Sequence, residues 1–418
     1  MSEAKTQHFC ILPWLHLQIN QGGEVHPCCR MDDRYQLGSL AKNTLEEIWN
    51  GPAMRTMRME LKADRAVTQC ASCYRAEKAG GISFRQRMNH SFAESLPLVK
   101  ETHDDGSVAP IGLHSLDLRL SNVCNFSCRT CSPWNSTSWY RDAIELENKE
   151  ATKWVKPIEL NDEALSAIEG SLAGMRRIYF AGGEPLLHQQ QYLLLEKLRD
   201  LGNRSVVLDY NTNFSHLQFQ RWKATELWKD FESVHVGASL DGIGPQAEVI
   251  RKGTKWSQIE ANFQRLKEEA PQVNFYIHST VSAMNVFHLP TAIERWVELG
   301  MLQFPDQLAV NVLNYPRHLN IQILNLTERE HLAKKYADFL IQLKSKASAI
   351  VYHNVARGLR QILQSFSPEV WTEDREMFRR YTIKMDSIRK ERFVDLFPEH
   401  LSLLYEKGPG AGPIHARP

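Results

Sequence analysis

The stretch Leu116-Asp-Leu-Arg-Leu-Ser-Asn-Val-Cys124-Asn-Phe-Ser-Cys128-Arg-Thr-Cys131 decides how this chain is read. Its first half alternates apolar and polar residues, as a strand with one buried face does. Its second half is a loop with cysteines at x3 and x2 spacing. Three thiolates on one short loop can hold three irons of a cubane cluster and leave the fourth iron without a protein ligand. An open coordination position is where substrate or cofactor chemistry happens. A closed structural zinc site needs four ligands, usually in two separated pairs. Cysteines this close on one loop cannot all pair as disulfides without strain.

All eight cysteines fall in two groups, this triad and Cys10, Cys28, Cys29, Cys70 and Cys73. With the motifs downstream, the triad resembles the radical S-adenosylmethionine (SAM) superfamily. The resemblance implies a loop after the first strand of a partial β/α barrel, with SAM chelating the unique iron of a 4Fe-4S cluster. The reduced cluster then cleaves SAM to methionine and a 5'-deoxyadenosyl radical. Many members carry an aromatic residue just before the third cysteine, where this chain has Thr130.

Downstream the chain alternates strand and helix patterns. Ile178-Tyr-Phe-Ala181 runs into Gly182-Gly183-Glu184-Pro185, where the glycines permit close approach or positive φ and the proline stiffens the exit. The residues alone also allow a plain strand-to-helix turn; in the family this motif holds the SAM amino group. Ser205 to Asn213 is the third strand, with Asn211 and Asn213 at its polar end, where the family places residues near the SAM ribose and carboxylate. The fourth, from Ser233, ends in Ser239-Leu-Asp241-Gly242, resembling the Ser-x-Asp-Gly end of the peptide-modifying branch. That branch has an arginine about ten residues later, here Arg251, whose guanidinium suits the methionyl carboxylate of SAM. Val273 to Ser282 and Gln307 to Tyr315 supply the fifth and sixth strands. His235 and His278, inside strands, are expected as core histidines. Helical patterns cover Asp162 to Leu172, His188 to Leu201, Leu217 to Lys229, Trp256 to Glu269 and Leu289 to Leu299. The expected fold is α/β: a partial (β/α)6 barrel over 113–320, with polar strand ends that suit a site.

The first cysteine group lies in Phe-Cys10-Ile-Leu-Pro13-Trp14, Gly22-Gly23-Glu-Val-His-Pro27-Cys28-Cys29, Leu45-Glu-Glu-Ile-Trp49 and Cys70-Ala-Ser-Cys73. A hairpin with a Gly-Gly turn and a helix from Asn43 to Leu61 would gather these cysteines. Four such ligands complete a second cluster, and the same C-x2-C spacing also suits a zinc ribbon. The segment resembles the SPASM/twitch auxiliary module, placed here before the barrel rather than after it. Cys10, Cys28, Cys70 and Cys73 are the expected ligands of an auxiliary 4Fe-4S cluster, with Cys29 spare; the choice between Cys28 and Cys29 is open.

The domain plan is therefore a small hairpin-helix cluster module (1–80), a charged connector (81–112), the barrel, a helical C-terminal extension (321–407) and a disordered tail (408–418). Extension helices are expected over Thr327 to Lys344, Ala349 to Gln364 and Glu373 to Arg392. With 50 basic against 49 acidic side chains, bulk charge gives no reason to expect nucleic acid or a membrane surface. Reduced thiolates, no apolar signal core and no membrane-length apolar run point to a cytoplasmic enzyme. The resemblance implies SAM, two 4Fe-4S clusters and an electron donor such as flavodoxin or ferredoxin. It also implies hydrogen abstraction from a peptide or protein side chain, leading to oxidation, crosslinking or epimerisation. The alternatives are a twitch-type dehydrogenase of a small alcohol or sugar-like metabolite, and a non-catalytic binding protein stabilised by zinc or a cluster.

Overall fold

The computed structural model describes residues 7–31, 34–78, 80–146 and 159–405, so the tail expected to be disordered lies outside the described residues. Six parallel strands form the centre: β4 (Ser115–Arg119), β5 (Arg177–Ala181), β6 (Val207–Thr212), β7 (Ser233–Ala238), β8 (Asn274–Val281) and β9 (Leu308–Val312). They are neighbours in that order. Helices Gln189–Asp200, Trp256–Glu269 and Leu289–Glu298 are among the crossovers, as parallel pairing requires. This is the parallel core of the partial barrel that the strand patterns imply.

Alternation along the strands gives the sheet two unlike faces. Leu116, Leu118, Ile178, Phe180, Leu208, Tyr210, Val234 and Val236 are buried under the helices in one core. The other face carries Ser115, Asp117, Arg119, Arg177, Tyr179, Asp209, Asn211, His235, Tyr276 and His278. The sheet curls over this polar face, bringing the phenols of Tyr179 and Tyr276 close enough to influence each other although two strands lie between. His235 and His278 are thus not core histidines. They belong to a polar surface, and the His278 ring contacts Asn211 at 3.2 Å.

The N-terminal module does not stand apart from the barrel. Strand β1 (His16–Ile19) pairs in parallel with β4, and β2 (Glu24–His26) and β3 (Gly38–Ser39) follow antiparallel, completing a nine-stranded sheet among the described residues. The helix expected from Asn43 to Leu61 is two helices, Leu45–Trp49 and Pro52–Lys62, because Gly51-Pro52 breaks the hydrogen-bond ladder. Thr44 and Glu47 form a reciprocal cap at the first.

Residues 81–112 are not a connector. Helix Phe84–Ser91 and the turns over Ala93–Glu101 pack on the module, and Phe92, Val99 and Val108 share a core with Phe9, Trp14 and Met57. Arg85, 4% exposed, donates to Glu77 and to the Phe9 carbonyl, so its charge is a packing device. The helix expected over Leu217 to Lys229 is a small hairpin, Gln218–Phe219 with Trp222–Lys223, and a short helix, Ala224–Leu227. Gln220 adopts φ +51 at its turn, which no helix accommodates. The extension is helical as expected: Leu326–Lys346, Ala349–Gln364 and Thr372–Arg389. No helix among the described residues is long and apolar enough to cross a membrane.

Candidate active site and auxiliary cysteine cavity

The cysteine loop leaves the C-terminal end of β4 and is pinned from two sides. Ser127–Cys128 pairs antiparallel with Arg251–Lys252, Cys128 opposite Arg251, and the Arg129 N–H donates to the Ile250 carbonyl at 2.7 Å. From the other side the Gly182-Gly183-Glu184-Pro185 turn backs the loop, its Glu184 N–H donating to the Val123 carbonyl at 2.9 Å. Gly183 has φ +52, and a Cβ there would lie 2.4 Å from that carbonyl. Only glycine meets both demands.

Glu184 is 1% exposed and accepts from Leu186 N–H at 3.1 Å, Thr212 Oγ1–H at 2.6 Å and Asn213 N–H at 2.6 Å. Burial raises its pKa, and these three donors oppose the rise. The carboxylate therefore ties the end of β5 to the end of β6, keeping about one of its four acceptor positions for a ligand. That structural task was invisible in the sequence. Asn213 Nδ2–H donates to Asn125 at 2.8 Å and to Cys124 Sγ at 3.9 Å, while Phe126 N–H reaches the same sulfur at 3.4 Å. Asn211 Oδ1 accepts from Ser239 Oγ at 3.1 Å. Arg251 donates through Nη1 to Asp241 Oδ2 at 2.8 Å, and Asp241 Oδ1 accepts from Thr280 N–H at 2.7 Å. The Arg251 Nε is buried without a hydrogen-bond partner among the described residues. The strand ends thus bring all eight expected SAM-site residues to one rim around the cysteine loop.

The donor set suits an iron-sulfur cluster. Burial, with neighbouring thiols, pushes Cys124 and Cys131 to about 12 and raises Cys128, so these sulfurs stay protonated unless a metal takes the proton's place. The N–H donors on Cys124 favour its thiolate. Among the described residues no three His, Cys, Asp or Glu side chains converge on a point suited to a single ion. Cys10, Cys28, Cys70 and Cys73 instead ring a small cavity, with Met57, Phe84 and Arg85 also in its wall. Burial pushes Cys10 to about 12 and Cys70 to about 11.

Cys29 points away from that cavity. Its thiol lies against Asp117 and Arg119 on the polar face of the barrel sheet, and burial followed by Asp117 raises it to about 12. The two residues Cys28 and Cys29 sit in a turn after β2, with the Met31 N–H reaching the Cys28 carbonyl at 3.4 Å, and look into different chambers. The polar face that Cys29 meets was not read from the sequence as a site. The signal was present: Asp117, Tyr179 and Asp209 are polar at every second position of otherwise apolar strands.

The clasp on the cysteine loop was also missed. Helix Thr372–Arg389 lies over it, with Arg129, fully buried, bonded to Asp386 at 2.6 Å and Glu391 at 2.9 Å. Arg389 donates to the Ser127 carbonyl and to Asp142, both at 2.6 Å, and Tyr381 donates to the Arg129 carbonyl at 2.9 Å.

Comparison with known proteins gives two family matches on this chain. Residues 118–281 match the radical SAM superfamily, and residues 10–74 match SPASM, an iron-sulfur cluster-binding domain. The chain carries a radical SAM domain and a SPASM domain. This radical SAM family uses SAM and a 4Fe-4S cluster, and the SPASM match adds auxiliary iron-sulfur binding. A probable GTP 3',8-cyclase of Methanocaldococcus jannaschii is 23% identical over 55% of this chain and 69% of its own length. An S-adenosylmethionine-dependent nucleotide dehydratase of Fibrobacter sp. is 24% identical over 53% of this chain and 64% of its own. A second probable GTP 3',8-cyclase, from Sulfurisphaera tokodaii, is 25% identical, and the chain spans 56% of it. Among solved structures, native anSMEcpe with bound AdoMet overlaps 56% of this chain and 60% of its own at 22% identity and a TM-score of 0.36.

Proposed function

We propose that this protein cleaves SAM reductively and takes a hydrogen atom from a substrate carbon held over the polar face of the barrel sheet. The substrate is a peptide or protein side chain, which leaves oxidised, crosslinked or epimerised. One observation carries the reading: the Cys124, Cys128 and Cys131 loop, the Arg251–Asp241 pair and Glu184 share the strand ends that rim this polar face.

Cys124, Cys128 and Cys131 would hold a 4Fe-4S cluster, which together with bound SAM would supply the one-electron reduction that starts hydrogen abstraction. The residues do the rest. Arg251 offers its remaining N–H groups to the SAM carboxylate, and Asp241 fixes the guanidinium from the opposite side. Glu184 offers its remaining acceptor position to the SAM amino group, while Asn211, Asn213 and Ser239 line the rim with donors and acceptors. Gly182 and Gly183 let the turn approach the loop closely. Cys10, Cys28, Cys70 and Cys73 would hold an auxiliary 4Fe-4S cluster, which would bind substrate or take up its electron, with a flavodoxin or ferredoxin as the external donor.

The names of the curated relatives favour a second reading, a nucleotide substrate. Charge on the polar face weighs against it. Arg119 and Arg177 lie beside Asp117 and Asp209, whereas a triphosphate needs basic groups in excess.

The test is product analysis of anaerobically reconstituted protein reduced in the presence of SAM. It should release 5'-deoxyadenosine and methionine, and Cys128→Ala should abolish both. Arg251→Leu should weaken SAM binding about ten- to a hundredfold, the equivalent of a charge-assisted bond of about 1.5 to 3 kcal/mol. No 5'-deoxyadenosine from fully cluster-loaded protein refutes the proposal.

A further inference from the structure

The outer wall of the auxiliary cysteine cavity is also the floor of a surface groove. Arg30, Gln69 and Ser72 line both, and Arg34 and Arg75 flank the groove. The wall is thin at Cys70, whose chain neighbours Gln69 and Ala71 both line the groove. Exposure shows the same lopsidedness: Cys10 and Cys73 are buried, whereas Cys28 and Cys70 are half-buried. The wall is also held in place. Ser72 Oγ–H donates to the Arg30 carbonyl at 2.9 Å, tying the turn after β2 to helix Ala71–Lys78, and the Cys70 N–H donates to the Val67 carbonyl at 2.9 Å.

Four cysteines satisfy the four irons of a cubane and leave none open to a guest. A site with no open iron and a thin wall toward solvent is suited to passing electrons rather than to binding substrate. The groove adds a sign of charge. Arg30 and Arg75 are exposed, and no acidic side chain among the described residues lines the groove. Lys78 lies one turn beyond Arg75 on the same helix, while Glu77 turns away to Arg85. Asp32 and Asp33 lie outside the described residues; counted against Arg30, Arg34, Arg75 and Lys78, they still leave positive charge in excess. This local excess stands on a chain whose formal net charge is only +1. A protein that docks here by charge complementarity is therefore acidic, and one that uses what lies behind the wall carries a one-electron centre.

We propose that this groove docks an acidic one-electron carrier protein, which takes the electron that the auxiliary cluster receives from the substrate. The proposal rests on the reading above, in that substrate oxidation supplies the electron, and it assigns the auxiliary cavity to electron transfer. The balance is one electron per encounter. The substrate radical loses an electron and a proton, the proton leaves to solvent, and the flavin or iron-sulfur centre of the carrier is reduced by one electron. No bond forms between the two proteins.

The test is stopped-flow mixing of the cluster-loaded, photochemically reduced full chain with oxidised flavodoxin, an acidic carrier, or with cytochrome c, a basic one. Flavodoxin reduction should slow as salt is raised and cytochrome c reduction should not, a readout that needs no variant. Cys70→Ala should lose the fast phase, identifying the auxiliary cluster as its source. Arg30→Glu with Arg75→Glu should slow flavodoxin reduction at least about tenfold at low salt and flatten its salt dependence. Lys334→Glu with Lys335→Glu, on helix Leu326–Lys346 toward the opposite, β9 edge of the sheet, should change neither. A small uncharged quinone should oxidise the cluster equally fast in wild type and in both charge-reversed proteins. A wild-type rate with flavodoxin that does not fall with salt, equal slowing by the two pairs of changes, or a fast phase that persists in Cys70→Ala overturns the groove. Equal slowing with the quinone in the arginine variant overturns it too, because the arginines then act on the cluster and not on docking. Release of 5'-deoxyadenosine by wild type with a chemical reductant and no carrier reports separately on the proposed reaction. Cleavage without salt-dependent carrier reduction defeats the groove alone; carrier reduction without cleavage defeats the reaction and leaves the groove standing.

Discussion

Asp117 shows what a single residue does to the balance between stability and use. Burial raises its pKa, Arg119 only partly opposing it, and Asp209 is raised by burial in the same way. A carboxyl with a folded pKa above its unfolded value of about 3.9 gives its full contribution to stability below that value. The contribution is lost as pH rises through the folded pKa, because ionisation is then harder in the folded state than in the unfolded one. Asp117→Asn removes that penalty. Urea unfolding of reconstituted protein at stepped pH should find the variant gaining on wild type from about pH 4 upward. A difference that is flat with pH would show Asp117 to be compensated in the folded protein. Glu184 is raised by burial too but spends its oxygens on three protein donors. The two buried acids thus differ in surroundings: Glu184 ties two strand ends together through three protein donors, whereas Asp117 lies beside Arg119 and the Cys29 thiol. The sequence distinguishes them only weakly: Glu184 announces itself through its glycines, whereas Asp117 looks like any polar position of an alternating strand.

At the scale of elements, the legible parts were those with local causes. Trp256–Glu269 and Ala349–Gln364 lie where apolar spacing placed them, and the polar strand ends meet because parallel strands must present them together. The errors have local causes as well. Gly51-Pro52 splits a helix whose apolar spacing runs on, and Leu217 to Lys229 has helical periodicity but turns at Gln220. What no local pattern could reveal is the clasp of helix Thr372–Arg389 on the cysteine loop, since its charge pairs join residues more than 240 positions apart. The clasp makes a prediction. Asp386→Ala leaves the fully buried Arg129 with Glu391 alone and removes the acceptor for the Phe393 N–H. Breaking a buried pair costs about 3 to 5 kcal/mol, here borne by the loop that carries the three cysteines. Iron content after reconstitution should fall from about eight toward four, as one 4Fe-4S site is lost, with 5'-deoxyadenosine formation falling alongside. Unchanged iron would reduce the helix to a packing element.

On the scale of the whole molecule, the two cysteine groups are less separate than their spacing in the chain suggested. β1 continues the barrel sheet with four paired positions, His16 to Ile19 against Ser115 to Leu118, and Cys28-Cys29 bridges the auxiliary cavity and the polar face in two residues. The cysteine partition pointed to two metal sites; it could not reveal that one sheet carries both cysteine groups, because strand pairing between segments a hundred residues apart leaves no mark on either. The arrangement separates the sites chemically while joining them mechanically. Cys70→Ala removes one wall of the auxiliary cavity without touching the rim where SAM is proposed to bind. The variant should therefore keep about four of eight irons and still release 5'-deoxyadenosine, while turnover of substrate stops. Deleting residues 1–112 is a different perturbation, because it strips the partner from β4 and exposes an unpaired edge beside Asp117. That truncation should lose SAM cleavage and aggregate, whereas Cys70→Ala should unfold in a single transition near wild type when followed by circular dichroism and cluster absorbance together. If Cys70→Ala loses SAM cleavage with its first cluster intact, the auxiliary site acts on the SAM rim and the division of labour fails. If the truncated barrel folds and cleaves SAM, the shared sheet is only a convenience of packing.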